Sequence, residues 1–301
     1  MTQVSLPRMA LAIVLVPVLA AAALACADPA SAGAAGARAQ AAELRALKQR
    51  LDRLAEQGKA GDAQYWYIDH ARGKVHIAVL RGADDSVTRG FAGSTPDART
   101  ITSVIDRPVT PYVGTAAHAP VAGRTRRSGP VYGGQRITAG DSYCSTGYNV
   151  GAGLTGRVLT AGHCYRYGPS WYLGGDHLGE ITRLRYPGGD VSEITPEPGW
   201  RLTGSVLQSD GSYQRIDSTA QVRLGQRLCK TGARTGTSCG VVYALDATAD
   251  YGDGPIHGLA VTDLYAAEGD SGGPVYAGGT AIGLVSGGPQ GGGPALVYPL
   301  Y

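Results

Sequence analysis

Ser271 stands in the run Gly269-Asp270-Ser271-Gly272-Gly273-Pro274, one hydroxyl among small and turn-forming residues with an acid directly before it. Glycine serves where the backbone must take φ > 0 or approach another chain closely. Ser271 is therefore expected on a tight turn, its hydroxyl presented outward and neighbouring N–H groups converging. An acyl-transfer nucleophile needs that arrangement, because the attacked carbonyl must lie within reach of both the hydroxyl and paired donors. A serine is also a weak nucleophile until a base takes its proton. Two further runs lie upstream, Thr160-Ala161-Gly162-His163-Cys164 and Tyr186-Pro187-Gly188-Gly189-Asp190. The Ser271 run alone fits an ordinary glycine-rich hairpin as well; the three together point to nucleophilic catalysis.

The elements that must position these residues read as short strands. Past Val131 the chain breaks into apolar runs such as Val158-Leu159-Thr160, Val241-Val242-Tyr243, Leu259-Ala260-Val261 and Ile282-Gly283-Leu284-Val285, separated by Gly, Pro, Asn or Asp. No segment there sustains a helical period, a pattern of an all-β sandwich or barrel. Composition agrees: charged residues are 17% of the chain, against ~25% in average globular proteins, and 46 of 301 residues are glycine. The length allows two domains and a full core. A net charge of +3, with no basic stripe interleaved with aromatics, argues against a nucleic-acid partner.

The first part of the chain has a different character. Residues 1–27 read as an export signal: Arg8, an apolar run from Met9 to Leu24 broken by Pro17, then Ala25-Cys26-Ala27 as a small-residue cleavage site. The run is too short and badly placed for a membrane span, so no membrane attachment is expected after cleavage. Asp28 to Ala37 reads as a flexible lead. From Arg38 to Gln57, Leu44, Leu47, Leu51 and Leu54 recur at helical spacing until Gly58. Tyr65–Ile68 and Val75–Leu80 then form a hairpin around the polar link Asp69–Lys74. Helix plus hairpin is a small α+β unit (28–123) that needs another surface to cover its sheet. Arg124, Arg126 and Arg127 mark an exposed linker (124–130) and a natural cleavage zone, with a mature start between Ser128 and Val131.

The three motifs, in the order His, Asp, Ser, resemble the chymotrypsin-like serine proteases, specifically the secreted bacterial branch of streptogrisins and α-lytic protease. The resemblance runs from Val131 to Pro299 and takes in Leu228-Cys229-Lys230-Thr231-Gly232 and Ala281 to Gly288. It implies two antiparallel six-stranded barrels (131–301) with the active site in the cleft between them. The N-terminal unit resembles the branch's pro-region, a folding catalyst and inhibitor of the mature enzyme.

On that resemblance His163 is the general base, Asp190 orients its imidazole, and the backbone N–H groups of Gly269 and Ser271 form the oxyanion hole. Of six histidines, His70 and His76 lie in the pro-region, His118 in its linker, and His177 and His257 lack a flanking motif. Asp190 has Gly189 before it where relatives carry Asn, and Glu193 follows where an apolar strand residue is usual; Asp176 and Glu193 are therefore competing carboxylates. Glu193 must face solvent or mark a shifted strand, since an unpaired buried carboxylate is costly. Lys230 is expected to pair with Asp270 and hold the oxyanion loop. Ser286-Gly287-Gly288 matches the strand that pairs with peptide substrates, its glycines leaving the primary pocket open. No acid selects Arg or Lys, and Val285 stands where Glu-selective relatives have His, so an apolar or aromatic preference follows.

After removal of Cys26, four cysteines allow three pairings; the resemblance implies Cys144–Cys164 and Cys229–Cys239. No metal or cofactor is expected, since no CxxC or paired-His spacing exists. Many relatives carry a cysteine at Tyr265 bridged to the loop Pro289–Pro294; here both partners are absent. Relatives also continue into a final helix that this chain lacks, which is expected to bare an apolar face. The resulting expectation is a secreted, monomeric serine endopeptidase made as an inhibited precursor, acting on polypeptides with its own pro-region as partner. A catalytically silent binding module of the same fold and an esterase using the same triad are the alternatives.

Overall fold

A computed structural model of the chain describes residues 29–82, 90–91, 99–115, 129–151 and 155–301. The segment expected to be an export signal (1–27) and the linker arginines lie outside the described residues. Helix α1 spans Pro29–Glu56. It begins earlier than the leucine period indicates, because the alanine-rich lead is itself a strong helix former and proline fits a first turn. From Leu44 to Ala55 its apolar face packs on Trp66, Val75 and Ile77.

Strands β1 (Ala63–Asp69) and β2 (Lys74–Leu80) form the expected hairpin. Strand β3 (Thr100–Ile105), not foreseen from the sequence, adds to β2 in parallel. The chain continues through two short strands, β4 (Val109–Pro111) and β5 (Gly114–Thr115).

Strand β6 (Gly129–Gly133) leads into the first barrel, which contains β7 (Arg136–Ala139), β8 (Ser142–Ser145), β9 (Asn149–Val150), β10 (Arg157–Thr160), β11 (Ser170–Leu173), β12 (Asp176–Arg185) and β13 (Val191–Pro196). Its hydrogen-bonded order is β8-β7-β11-β12-β13-β10-β9. Since β8 bends into β9, and Gly147 N–H reaches Leu159 O at 2.6 Å while Leu159 N–H reaches Tyr148 O at 2.7 Å, the ring closes on six strands. Val131, Ile137, Val158, Trp171, Leu178 and Ile194 fill it. β13 alternates as a half-buried strand must: Ser192 and Ile194 point inward and Glu193 points outward, 3.6 Å from Arg183. β13 itself runs in regular register on β10, and the irregularity at this point is a bulge in β12 between Ile181 and Arg183.

Strands β14 (Trp200–Leu207) and β15 (Tyr213–Arg215) form a three-stranded sheet with β6. The second barrel follows: β16 (Ser218–Thr219), β17 (Arg227–Gly232), β18 (Gly236–Asp250), β19 (Pro255–Ala266), β20 (Pro274–Ala277), β21 (Thr280–Pro289) and β22 (Gly293–Pro299). The ring runs β17-β20-β21-β22-β19-β18 and closes through β17–β18, with β16 paired outside it on β21. Two disulfides join Cys144 to Cys164 and Cys229 to Cys239, the pairing that the resemblance implies.

β18 is long enough to serve two sheets. Its first half closes the barrel on β17, and its outer half pairs with β1 at Tyr65↔Ala249 and Trp66↔Thr248. The hairpin unit and the second barrel therefore share one continuous sheet. A buried polar cluster fixes that seam. Lys48 Nζ lies 3.0 Å from Asp52 and 3.1 Å from Thr248 Oγ1, and Trp66 Nε1–H donates to Asp52 at 2.7 Å.

Candidate active site

Each of the three candidate residues sits on a loop held by rigid strands. His163 follows β10 in a short 3-10 helix, Gly162–Tyr167, tied to β8 by the adjacent Cys164 disulfide. Asp190 ends the link from β12 to β13. Ser271 lies between β19 and β20, where Gly269 takes φ of 111°, a left-handed conformation that L side chains rarely adopt. All three are fully buried under the segment described below.

The geometry brings them into one hydrogen-bonded line. His163 Nε2 is 2.7 Å from Ser271 Oγ, and His163 Nδ1 is 2.9 Å from both carboxylate oxygens of Asp190. A proton on Nδ1, donated to the carboxylate, leaves Nε2 as the acceptor for the serine hydroxyl. Asp190 also accepts the His163 backbone N–H at 2.9 Å and the Ser286 hydroxyl at 2.5 Å. Burial pushes this carboxyl up, but the imidazole and these hydrogen bonds more than offset it, and Asp190 ends below the usual carboxylate range. The competing carboxylates are elsewhere: Glu193 points outward, and Asp176 begins β12.

Lys230 and Asp270 also meet, with Nζ 3.0 Å from Oδ2 and both side chains fully buried. Asp270 further accepts N–H groups of Arg234 (2.9 Å), Thr235 (3.0 Å) and Ala267 (3.0 Å). This carboxylate therefore ties the turn after β17 to the residues just before Ser271. Burial lowers the Lys230 pKa, against the pull of Asp270. Tyr143, a lone aromatic with no sequence motif, backs the same loop. Its ring fills the space a Cβ on Gly269 would need, its hydroxyl donates to Glu268 O at 3.3 Å, and Arg136 stacks on its other face.

The cleft is occupied by the chain itself. β4 adds antiparallel to β21, pairing Pro111 with Gly287 and Thr110 with Gly288. Tyr112 N–H then donates to Ser286 O at 3.3 Å. The Tyr112 carbonyl accepts both candidate oxyanion donors, Gly269 N–H at 2.5 Å and Ser271 N–H at 3.0 Å. Its ring is fully buried with Ala266, Val285 and Ala295, and its hydroxyl donates to Pro289 O at 3.2 Å. Cβ atoms on Gly287 and Gly288 would overlap Thr110 O and the Tyr112 hydroxyl, so those glycines are what admit the strand and the ring. Beyond Tyr112, β5 pairs with β8 at Gly114↔Tyr143 and Thr115↔Ser142.

Two more residues bear on the site: Tyr251, which carries no sequence signal, and Glu268, which the sequence places with Tyr265 in the loop that walls the pocket ahead of Ser271. Tyr251, at the tip of the β18–β19 hairpin, lies 3.0 Å from Ser286 Oγ and edge-on to His163; burial, then the nearby Asp190 charge, raises its pKa well above the ordinary phenol value. Glu268 accepts Gly291 N–H at 2.5 Å, joining the pre-serine loop to the glycine-rich wall of the Tyr112 pocket. The one His/Cys/Asp/Glu group with metal-ligand spacing among the described residues, Cys144, His163 and Cys164, has both sulfurs spent in a disulfide.

Two six-stranded barrels with a hydroxyl, imidazole and carboxylate aligned between them define a chymotrypsin-like serine protease. Comparison with known proteins agrees. The trypsin family model matches residues 125–300, and the α-lytic protease prodomain model matches residues 40–95. Streptogrisin-A of Streptomyces griseus is 32% identical over 225 residues, covering 74% of this chain and 68% of its own. Serine protease 2 of Streptomyces fradiae is 39% identical over 52% of this chain and 94% of its own. Among solved structures, a glutamic-acid-specific serine protease superposes with TM-score 0.54 at 36% identity, over 56% of this chain and 94% of that one. Thermobifida fusca protease A gives 0.53 at 29%, over 57% and 92%. The chain belongs to the trypsin family: it is a serine endopeptidase made as a precursor with an α-lytic-protease-type prodomain.

Proposed function

We propose that Ser271, His163 and Asp190 are the nucleophile, general base and orienting carboxylate of a secreted endopeptidase that cleaves after aromatic residues. The observation that carries this reading is the Tyr112 carbonyl, held by Gly269 N–H and Ser271 N–H while Ser271 Oγ faces His163 Nε2 at 2.7 Å. In this reading Ser271 Oγ attacks the carbonyl carbon as its proton passes to Nε2. The oxyanion gains charge where two fixed donors already point, a contribution of about 3–4 kcal/mol per donor. His163 then gives its proton to the leaving amine, and water resolves the acyl-enzyme by the reverse sequence. Asp190 stays ionised and stabilises the transient imidazolium.

The aromatic preference rests on the buried Tyr112 ring, packed among apolar residues such as Ala266, Val285 and Ala295. Ser286, Gly287 and Gly288 supply the edge on which substrate strands add. Lys230 and Asp270 hold the oxyanion loop without needing a new N-terminus. Export follows from the character of residues 1–27 and suits two disulfides, which persist in oxidising compartments; no helix among the described residues is long and apolar enough to cross a membrane. An organofluorophosphonate should label the processed protein at Ser271 and not its His163→Ala variant, and a peptide library should favour Tyr and Phe before the cut. Labelling that ignores His163, or a preference for acidic residues there, overturns the corresponding part.

A further inference from the structure

We propose that the first bond this chain cuts is its own Tyr112–Val113, in cis, so that the released protease begins at Val113 and carries residues 113–130 as an N-terminal extension. This rests on the reading of Ser271 and His163 as nucleophile and base. The arginine-rich linker is where composition alone puts the cut, but it is not what lies in the cleft.

Four observations locate the bond. The residues before it are in register on β21, as a substrate strand would be. The Tyr112 carbonyl is in the oxyanion donors and its ring is in the pocket. The residues after it are also held, by pairing of Gly114 and Thr115 with β8. A Cβ on Gly114 would overlap the Tyr143 ring, so the leaving side too is fitted to its wall. The segment is thus held on both sides of a single peptide bond, as a substrate spanning the site must be.

The downstream end of the alternative zone is held in the fold. Gly129, Pro130 and Val131 are paired with Trp200, Arg201 and Leu202 of β14, and Val131 is fully buried. Cutting between those residues first would require β6 to unzip, and any such cut in cis would require Tyr112 to vacate the cleft.

The step balances without any co-reactant other than water. Ser271 Oγ bonds to the Tyr112 carbonyl carbon, and its proton moves to His163 Nε2 and on to Val113 N as the C–N bond breaks. Water then adds to the Tyr112 ester, and Ser271 recovers its proton through His163. The products are a Tyr112 carboxylate, still seated in its pocket, and a Val113 amine.

The test is a time course of the purified full chain by intact mass and N-terminal sequencing. Val113 should be the first new N-terminus, and its rate should be independent of protein concentration across about a 100-fold range, as for an intramolecular step. Ser271→Ala should stay whole. Replacing Arg124, Arg126 and Arg127 together by Ala should leave the Val113 cut within about 2-fold. Tyr112→Asp should slow it about 100-fold or more, because an unpaired carboxylate is forced into an apolar pocket. Val113→Pro, which keeps the tyrosine, should block it even if Tyr112→Asp misfolds. A first N-terminus within 114–131 with Val113 never seen, or a rate proportional to concentration, overturns the proposal. Should protein nicked by added trypsin label at Ser271 and cleave tyrosyl peptides while Val113 never forms, this inference alone falls. If Ser271 does not label either, the functional reading falls with it.

Discussion

Lys230→Met is the sharpest probe of how the oxyanion loop is held. Removing one partner of a buried ion pair typically costs about 3–5 kcal/mol, because the other charge is left uncompensated. Asp270 keeps the N–H groups of Arg234, Thr235 and Ala267 and the Thr235 hydroxyl at 2.5 Å, which favours the low end, about 3 kcal/mol. On the Lys230 side, Gly236 O loses a donor at 2.9 Å. Burial already opposes the Lys230 charge, so methionine removes a desolvation cost together with the pairing. A 3 kcal/mol loss on the loop alone is about a 150-fold fall in the fraction with both amides presented, at 1.4 kcal/mol per tenfold. If instead it is felt globally, Tm falls by about 6–12 °C at about 2–4 °C per kcal/mol. Processed protein should be assayed for kcat/KM on a tyrosyl peptide, for fluorophosphonate labelling rate and for Tm. Loss in kcat with KM little changed identifies the oxyanion loop. A variant with wild-type kcat/KM and unchanged Tm would refute the role assigned to the pair.

Three further outcomes follow from the same geometry. Gly288→Val places side-chain atoms where the Tyr112 hydroxyl lies, so kcat/KM for tyrosyl peptides should fall about 100-fold, the worth of burying one such ring, while alanyl peptides should be little affected. Asp190→Asn keeps the shape but reverses the hydrogen bond to Nδ1, and kcat should fall by about 10⁴ as in the well-worked triad template. His76 in β2 packs among Tyr65 and Tyr67; burial lowers its pKa, Arg72 adding to that and Asp69 opposing, and its buried Nδ1 has no partner among the described residues. Its folded pKa lies below the unfolded value near ~6.5, so precursor stability should be complete above that value and lost as pH falls through the folded one. Thermal unfolding of the precursor at pH ~8 and ~5.5 should show the loss, and His76→Gln should flatten it.

Much of this was legible before any coordinates because its causes are local. Short apolar runs between glycines with no helical period read as strands, and the glycines flanking Ser271 read as a tight turn that becomes a catalytic loop only in company with the His163 and Asp190 runs. The Asp190 context read as doubtful because Glu193 sits where an apolar residue is usual, yet period-two alternation sends that side chain outward and needs no strand shift. What escaped depends on threading. Pro111-Tyr112-Val113 has no motif, and only the pairing of β4 with β21 and β5 with β8 reveals it as the segment in the cleft. The linker arginines drew attention because charge and small residues mark accessible chain, whereas the bond in the site is chosen by shape. Tyr143 and Tyr251 are single residues whose importance comes from neighbours remote in the chain. β3 went unseen because Thr100-Ile101-Thr102-Ser103 is weakly apolar, and its partner strand supplies most of its reason to form.

The double duty of β18 has a consequence for the life of the enzyme. While the prodomain is attached, the outer end of the β18–β19 arm has β1 on one side and Gly188 on the other; once it leaves, the β18 edge is bare and the arm keeps its backbone bonds between Gly188 and Pro255 and His257. The ribbon carries Tyr251 toward Ser286 and so toward Asp190. Departure of the prodomain would thus leave this arm held along one edge, next to the hydrogen-bond chain that runs from Tyr251 through Ser286 to Asp190.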